Sequence, residues 1–315
     1  MGSSQKKVLR LGTRGSLLAR TQSHAVAQLL EQQNDGLRIE EIVLVTSGDL
    51  IQDRPLHEAG GKGLFTKEIE LALLEGRTDF AVHSFKDVPV SEPLVDQREL
   101  LIAAVPQRED PADILVSMTA RTIAELPRGA RVGTGSLRRR CQLLDRRPDL
   151  VIEPIRGNID TRLRKLREGQ FDAIVLALAG VKRASLFDSA IMFPLEESAM
   201  IPAPGQGALA LQCRRADRET GGLLAAIDDP ATAACTAAER ALVRYLGGDC
   251  LSPIAARATV TPQGFHLITA IGGRGGNLPV LRAAAQAADP ESVAREAFDQ
   301  LLRHDVLQIL HGRSS

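Results

Sequence analysis

Arg10-Leu11-Gly12-Thr13-Arg14-Gly15-Ser16-Leu17 returns, one residue shorter, as Arg131-Val132-Gly133-Thr134-Gly135-Ser136-Leu137. The first copy reads as a strand over Val8 to Leu11, a glycine turn over 12–16, and a helix carrying Leu18, Ala25, Val26, Leu29 and Leu30 on one face. A second parallel follows each copy. A helix with Phe65, Ile69, Ala72 and Leu73 on one face ends at Gly76 and leads to Asp79-Phe80-Ala81-Val82, and Leu163 to Gly169 leads likewise to Asp172-Ala173-Ile174-Val175. Glycine closes each helix because a left-handed cap costs least there, and an unbroken apolar strand of this kind is buried on both faces. The pattern predicts an α/β protein with two related lobes and mainly parallel or mixed sheets. Ligands in such sheets lie beyond the carboxyl ends of the strands. The loops after Leu11, Val82, Val132 and Leu178 are therefore expected to face a shared cleft.

The link between lobes is expected near Ala103 to Pro111, with the return around Ile201-Pro202-Ala203-Pro204-Gly205-Gln206-Gly207. Two such crossings would make a hinge. After Asp228-Asp229-Pro230 come an alanine-rich helix, the loop Gly247-Gly248-Asp249-Cys250, and a hairpin around Thr261-Pro262-Gln263-Gly264. These segments predict a third, smaller α/β domain. The expected partition is 1–104 with 205–225, then 105–204, then 226–315.

Composition narrows the function. A chain of 315 residues exceeds one ordinary core. Its 44% hydrophobic and 25% charged residues, with no long uncharged apolar run, point to a cytosolic globular protein and away from the membrane. The polar, basic start from Met1 to Arg10 has no apolar signal core. Cys141, Cys213, Cys235 and Cys250 are too far apart for a zinc or redox motif, so neither a metal nor a disulfide framework is expected. Thirty-nine basic residues balance 39 acidic ones, yet Arg131 to Arg183 holds 13 Lys and Arg against 6 Asp and Glu. This is a candidate anion site. With one Tyr and no Trp, the chain lacks stacking platforms for bases, so small anions fit better than nucleic acid.

Several residues can carry chemistry. His83-Ser84-Phe85-Lys86-Asp87-Val88-Pro89 leaves a strand end, and Pro89 cannot continue a central strand, so Asp87 is expected at the cleft mouth beside Lys86 as an acid or base. The plain alternative is an Asp that caps a turn. Ser136-Leu137-Arg138-Arg139-Arg140 opens a helix, where three arginines oppose the dipole unless anions compensate. Arg140, Arg146 and Arg147 fit a solvated face, whereas Arg156 and Arg162 are stronger anion ligands because Arg156 follows the apolar strand Val151 to Ile155. Arg14 holds the equivalent place in the first lobe. Gly60-Gly61-Lys62-Gly63-Leu64-Phe65 lacks the ending of a phosphate loop and reads as a lid. Cys250, after a glycine pair and before Pro253, reads as an accessible thiol, while Cys213 reads as a buried hydrophobe.

The motifs Gly12-Thr13-Arg14-Gly15-Ser16, Thr46-Ser47-Gly48-Asp49, GGKGLF from Gly60, HSFKDVP from His83, GTGSLRR from Gly133, IRGNIDTRL from Ile155 and PGQGALAL from Pro204, in this order, make the chain resemble the porphobilinogen deaminase family over nearly its whole length. The resemblance implies two periplasmic-binding-protein-like lobes and a C-terminal domain that anchors a dipyrromethane cofactor to Cys250 by a thioether. It implies a transferase, hydroxymethylbilane synthase, that condenses four porphobilinogen molecules with loss of ammonia. Asp87, aided by Lys86, would be the acid–base residue. Lys86, Asp87, Ser136, Arg138 and Arg139 would hold the cofactor, and Arg14, Ser16, Arg156, Arg162 and Arg183 the substrate. The cysteine loop departs from the family pattern, because Asp249 stands between the glycines and Cys250. A cytoplasmic monomer, without nucleic-acid or membrane partners, completes the expectation. A hinged two-lobe anion-binding module without catalysis is the alternative; the third domain with its thiol opposes it.

Overall fold

The computed structural model describes residues 7–50, 66–90, 99–249 and 251–312, with 49 and 50 described by backbone alone. The 60–65 segment that reads as a lid, and Cys250, lie outside the described residues. In chain order come β1 (Lys7–Arg14), α1 (Leu17–Gln33), β2 (Leu37–Leu44), α2 (Ser47–Leu50), α3 (Lys67–Leu74), β3 (Phe80–Ser84), a 3-10 turn at Phe85–Asp87, and β4 (Leu100–Ala104). Next are β5 (Asp113–Ser117), β6 (Arg131–Gly133), α4 (Leu137–Arg146), β7 (Val151–Glu153), α5 (Ile159–Arg167), β8 (Ala173–Ala177), α6 (Leu178–Arg183) and β9 (Met192–Pro194). The chain ends with β10 (Leu209–Arg214), α7 (Arg218–Ala225), α8 (Pro230–Tyr245), β11 (Ile254–Thr261), β12 (Gly264–Gly273), a second 3-10 turn at Arg274–Gly276, β13 (Asn277–Ala287), α9 (Pro290–Leu302) and α10 (Val306–His311).

Two compact units result: 1–108 with 208–233, and 109–207 with 234–315. The chain passes between them at Arg108/Glu109, at Gly207/Ala208, and within α8 at Ala233/Ala234. The sheet β11-β12-β13, with α9 and α10, falls within the segment 226–315 and shares the second unit with the second lobe. Ile201 joins Ala255 and Ala270 in one buried cluster of that unit.

The repeat seen in sequence is a repeat in register. Leu11 and Gly12 pair with Phe80 and Ala81, and Val132 and Gly133 pair with Ala173 and Ile174. Asp79 donates its N–H to Arg10 O (2.8 Å) and Asp172 donates to Arg131 O (2.9 Å). Each Asp carboxylate in turn accepts that arginine's backbone N–H, at 2.8 and 2.7 Å. Helices α3 and α5 end at Gly76 and Gly169, with φ of 68° and 73°.

The lobe sheets run β2-β1-β3-β10-β4 and β7-β6-β8-β5-β9. In each, the first three strands are parallel, while β10 and β5 run antiparallel to both neighbours. The sheets are thus mixed. Because β10 enters the first sheet only after the chain returns, that unit is discontinuous in sequence.

Two local expectations change. Strand β1 continues through Gly12 to Arg14, where a turn was expected. A Cβ on Gly12 would meet Thr78 at 3.2 Å, and one on Gly133 would meet Ile174 and Phe171 at 3.0 Å, so both glycines serve close strand packing. Strand β7 stops at Glu153, short of Ile155, because Pro154 has no N–H to give the ladder. The cores are mostly aliphatic, with a few aromatic and sulfur side chains: Leu11, Leu30, Phe80, Leu211 and Cys213 in the first lobe, Ile114, Ile155, Ile174 and Met192 in the second. Burying each large side chain contributes about 1.5–3 kcal/mol.

Candidate active site

In the first unit, β1 and β3 lie side by side, so Arg14 at the end of one strand is near the end of the other. Its charge acts on His83, which is buried and shares a 2.9 Å hydrogen bond with Gln212 Oε1. Burial, with Arg14's charge adding to it, pulls the His83 imidazole down to about 4. Gln212 Nε2 donates onward to Glu70 at 2.8 Å, and burial pushes the Glu70 carboxyl up. This buried line fixes β3 from behind. Beyond it, the 3-10 turn carries half-buried Lys86 and exposed Asp87, between the buried flanks Phe85 and Val88. Ser16 caps α1, accepting from Ala19 N–H at 3.3 Å.

The second unit holds the basic residues. Ser136 sits at the N-cap of α4, its backbone N–H donating to Thr134 Oγ1 at 3.2 Å. The next turn of α4 points Arg138 and Arg139 inward, only 3% and 6% exposed. Both close on Asp113, the first residue of β5. Arg138 Nη1 donates to Asp113 Oδ2 (2.7 Å) and to Ile201 O (2.7 Å), and its Nη2 to Asp113 Oδ1 (3.3 Å). Arg139 Nε and Nη2 donate to Asp113 Oδ1 at 3.1 and 2.7 Å, and its Nη1 to Val175 O at 2.8 Å. Burial alone would push the Asp113 carboxyl up, but the two guanidiniums hold it well below the ordinary range. Arg138 Nε is buried with no partner.

One carboxylate thus faces two guanidiniums, and the surplus continues outward. Asn158 caps α5, accepting from Thr161 N–H at 3.0 Å, and Arg162 on its first turn donates Nε to Gly157 O at 2.8 Å. Burial, then the like charges of Arg139 and Arg156, lower Arg162 to about 10. Among the described residues no carboxylate forms an ion pair with Arg156 or Arg162. Arg183, at the end of α6, donates to Gly207 O at 2.7 Å, and burial lowers it against the opposing pull of Glu109.

The structure therefore gathers Arg138, Arg139, Arg156 and Arg162 in one region and holds Arg183 on the return crossing. Asp113, absent from the sequence reading, and Gln206, named there only as part of the return crossing, are central to the first group. Asp113 is one acid among several in Glu109-Asp110-Pro111-Ala112-Asp113, and nothing local marks it. Cys213 is buried as expected, and burial pushes its thiol up to about 11. Cys141 and Cys235 are also buried. Around Cys250, Asp249 accepts from Leu251 N–H (2.9 Å) and Ser252 Oγ (3.1 Å), so the residue that departs from the family pattern braces the turn. Gly272, on β12, stands between Pro253 and the arginine helix. Gly272 N–H donates to Pro253 O at 2.9 Å, and a Cβ on Gly272 would come within 2.5 Å of Cys141 Sγ on α4.

Fold and site define a class: an α/β protein of two topologically equivalent lobes and a third small sheet, with a surplus of guanidinium groups in its second unit. Residues 9–221 match the family profile "porphobilinogen deaminase, dipyromethane cofactor binding domain", and residues 233–302 match the family's C-terminal domain. The porphobilinogen deaminase of Roseiflexus castenholzii is 45% identical over 294 residues, covering 93% of this chain and 95% of its own. That of Sorangium cellulosum is 51% identical over 250 residues, covering 79% and 82%. The periplasmic VFT2 domain of Bordetella pertussis BvgS aligns with 70% of this chain and 86% of its own at 16% identity and a TM-score of 0.38. The chain belongs to the porphobilinogen deaminase family. That membership sets the non-catalytic binding module aside.

Proposed function

We propose that the chain condenses four porphobilinogen molecules into hydroxymethylbilane on a dipyrromethane primer held by Cys250, with Asp87 as its acid–base residue and the arginines as its carboxylate ligands. The observation that carries the residue roles is the surplus of cations around Asp113, with Arg156 and Arg162 unpaired by any described carboxylate. Porphobilinogen bears an acetate and a propionate, and planar guanidinium forks match both. The donor set fits the primer too, because Pro253, three residues after Cys250, meets Gly272, which in turn meets Cys141 on the helix that bears Arg138 and Arg139. Bound there, dipyrromethane supplies the free pyrrole carbon to which the first substrate is joined.

The chain's own groups do the rest. Arg14, Arg156, Arg162 and Arg183 hold substrate carboxylates, with Ser16 and Ser136 at helix starts where N–H groups favour anions. Lys86 and Asp87 share a short turn with a rigid base. Asp87 passes a proton to the departing amine, stabilises the cationic carbon left behind, and takes up the proton lost on coupling. Arg138 and Arg139 keep the primer's carboxylates in register. Among the described residues no helix is long and apolar enough to cross a membrane; a cytoplasmic location belongs to the same proposal. A monomer, and a partition into lobes 1–104 with 205–225 and 105–204 and an anchoring domain 226–315, belong to the same reading.

The test is the intact mass of the unfolded protein beside its Cys250→Ala variant. The expected wild-type excess equals two porphobilinogen units less two ammonia and is absent from the variant. Bare chain mass in both, persisting after incubation with porphobilinogen, would overturn the anchor assignment.

A further inference from the structure

Asp113 is fully buried, and its carboxylate accepts five hydrogen bonds: four from the two arginines and one from Gln206 Nε2, at 2.9 Å. Gln206 lies on the return crossing and Asp113 just after the forward one. The same Gln206 amide also donates to Pro111 O at 2.7 Å, and Glu109 N–H donates to Gly207 O at 3.2 Å. The crossing segments are therefore stitched together, and the stitch ends on the carboxylate that orients both arginines. Arg138 is further held by Ile201 O, which also accepts from Gln142 Nε2 at 3.0 Å while Ile201 N–H donates to Gln142 Oε1 at 2.9 Å.

We propose that Asp113, tied to the return crossing through Gln206, is a positioning residue of the condensation: it fixes the guanidiniums of Arg138 and Arg139 and leaves the region with one positive charge in excess, which a pyrrole carboxylate balances. A shared carboxylate does two things that two separate ion pairs would not. It sets the distance between the two forks, since both bind the same group. It also cancels one charge of two, so an arriving carboxylate gains a partner without meeting a doubly uncompensated region that would hold the growing chain too tightly to advance. Alternative explanations are weaker. A carboxylate needed only to neutralise a buried arginine would require neither a second guanidinium nor a tie to the crossing. The inference rests on the reading of this arginine cluster as the carboxylate-binding site.

The experiment follows the loaded, full-length enzyme. Asp113→Asn, Gln206→Leu and Arg162→Gln are each compared with wild type for kcat and KM with porphobilinogen, for thermal midpoint, and for the spread of enzyme-bound intermediates by intact mass. Gln206→Leu keeps all four arginine–Asp113 hydrogen bonds and removes the amide's bonds to Asp113 and to Pro111 O. It is expected to stay folded at the assay temperature with a somewhat lowered midpoint, lower kcat about tenfold, and pile up a loaded intermediate. Asp113→Asn is expected to lower kcat further and to shift the same intermediate. If Asp113→Asn does not fold, Gln206→Leu alone decides. Wild-type kcat and intermediates in Gln206→Leu, or a fall in midpoint with kinetics unchanged in Asp113→Asn, overturn the proposal. If Arg162→Gln nevertheless stalls elongation, the carboxylate-binding reading survives that failure; if all three variants elongate normally, the reading falls with it.

Discussion

Replacing Arg162 with glutamine removes a charge that the folded protein holds at a cost. Burial and the neighbouring charges of Arg139 and Arg156 lower this guanidinium from its ordinary value to about 10. Taken whole, that lowering corresponds to roughly 3 kcal/mol of unfavourable free energy in the charged form, and solvent around a half-buried side chain reduces it to about 1–2 kcal/mol. The bond from Nε to Gly157 O opposes this, contributing about 0.5–1.5 kcal/mol. The two nearly cancel, so Arg162→Gln is expected to unfold at the wild-type urea midpoint or above it. Activity moves the other way. Loss of a charged contact to a substrate carboxylate costs about 1.5–3 kcal/mol, or roughly ten- to a hundredfold in kcat/KM. Stability held while turnover falls is the mark of a charge kept for a ligand. The assay is urea unfolding beside steady-state ammonia release. A lowered midpoint with unchanged kcat/KM would refute the reasoning and make Arg162 a structural residue.

Acid stability tests the buried line behind Asp87. His83 falls from 6.5 to about 4 on folding, so the unfolded chain binds the proton first, and stability full above the unfolded value is lost as pH falls toward the folded one. Between pH 7 and pH 5 this is about 2 kcal/mol, which His83→Gln should remove; equal acid losses in both proteins, measured by urea unfolding, would count against it. Gly207→Ala probes the crossings: at φ +86° a Cβ would stand 2.3 Å from Glu109 O, so backbone strain and overpacking together should cost about 2–5 kcal/mol. An unchanged unfolding midpoint would show that the crossings yield freely at this point.

The doubled glycine segment, the helix-ending glycines and the two apolar strands were legible because they depend on local rules: a cap that needs a left-handed residue, and strands with two buried faces. They led to paired α/β lobes, a third domain and the basic stretch from Arg131 to Arg183. The ordered motifs led to the family. Local rules misjudged Gly12 and Gly133, since the reason for a missing Cβ lies on neighbouring strands that sequence does not place beside them.

The sequence by itself determined that Arg138 and Arg139 begin a helix and that a helix start rich in arginine wants an anion. Only the tertiary structure decided which anion each meets. Asp113 lies 25 residues from Arg138, and Gln206 a further 93 from Asp113. Their meeting depends on how the continuous stretch 109–207 folds within the second unit, which brings β5 and the residues just before the return crossing together at α4. A carboxylate's partner is set by what folds over it, and in the low dielectric of that interior one buried acid is enough to hold two arginines in place.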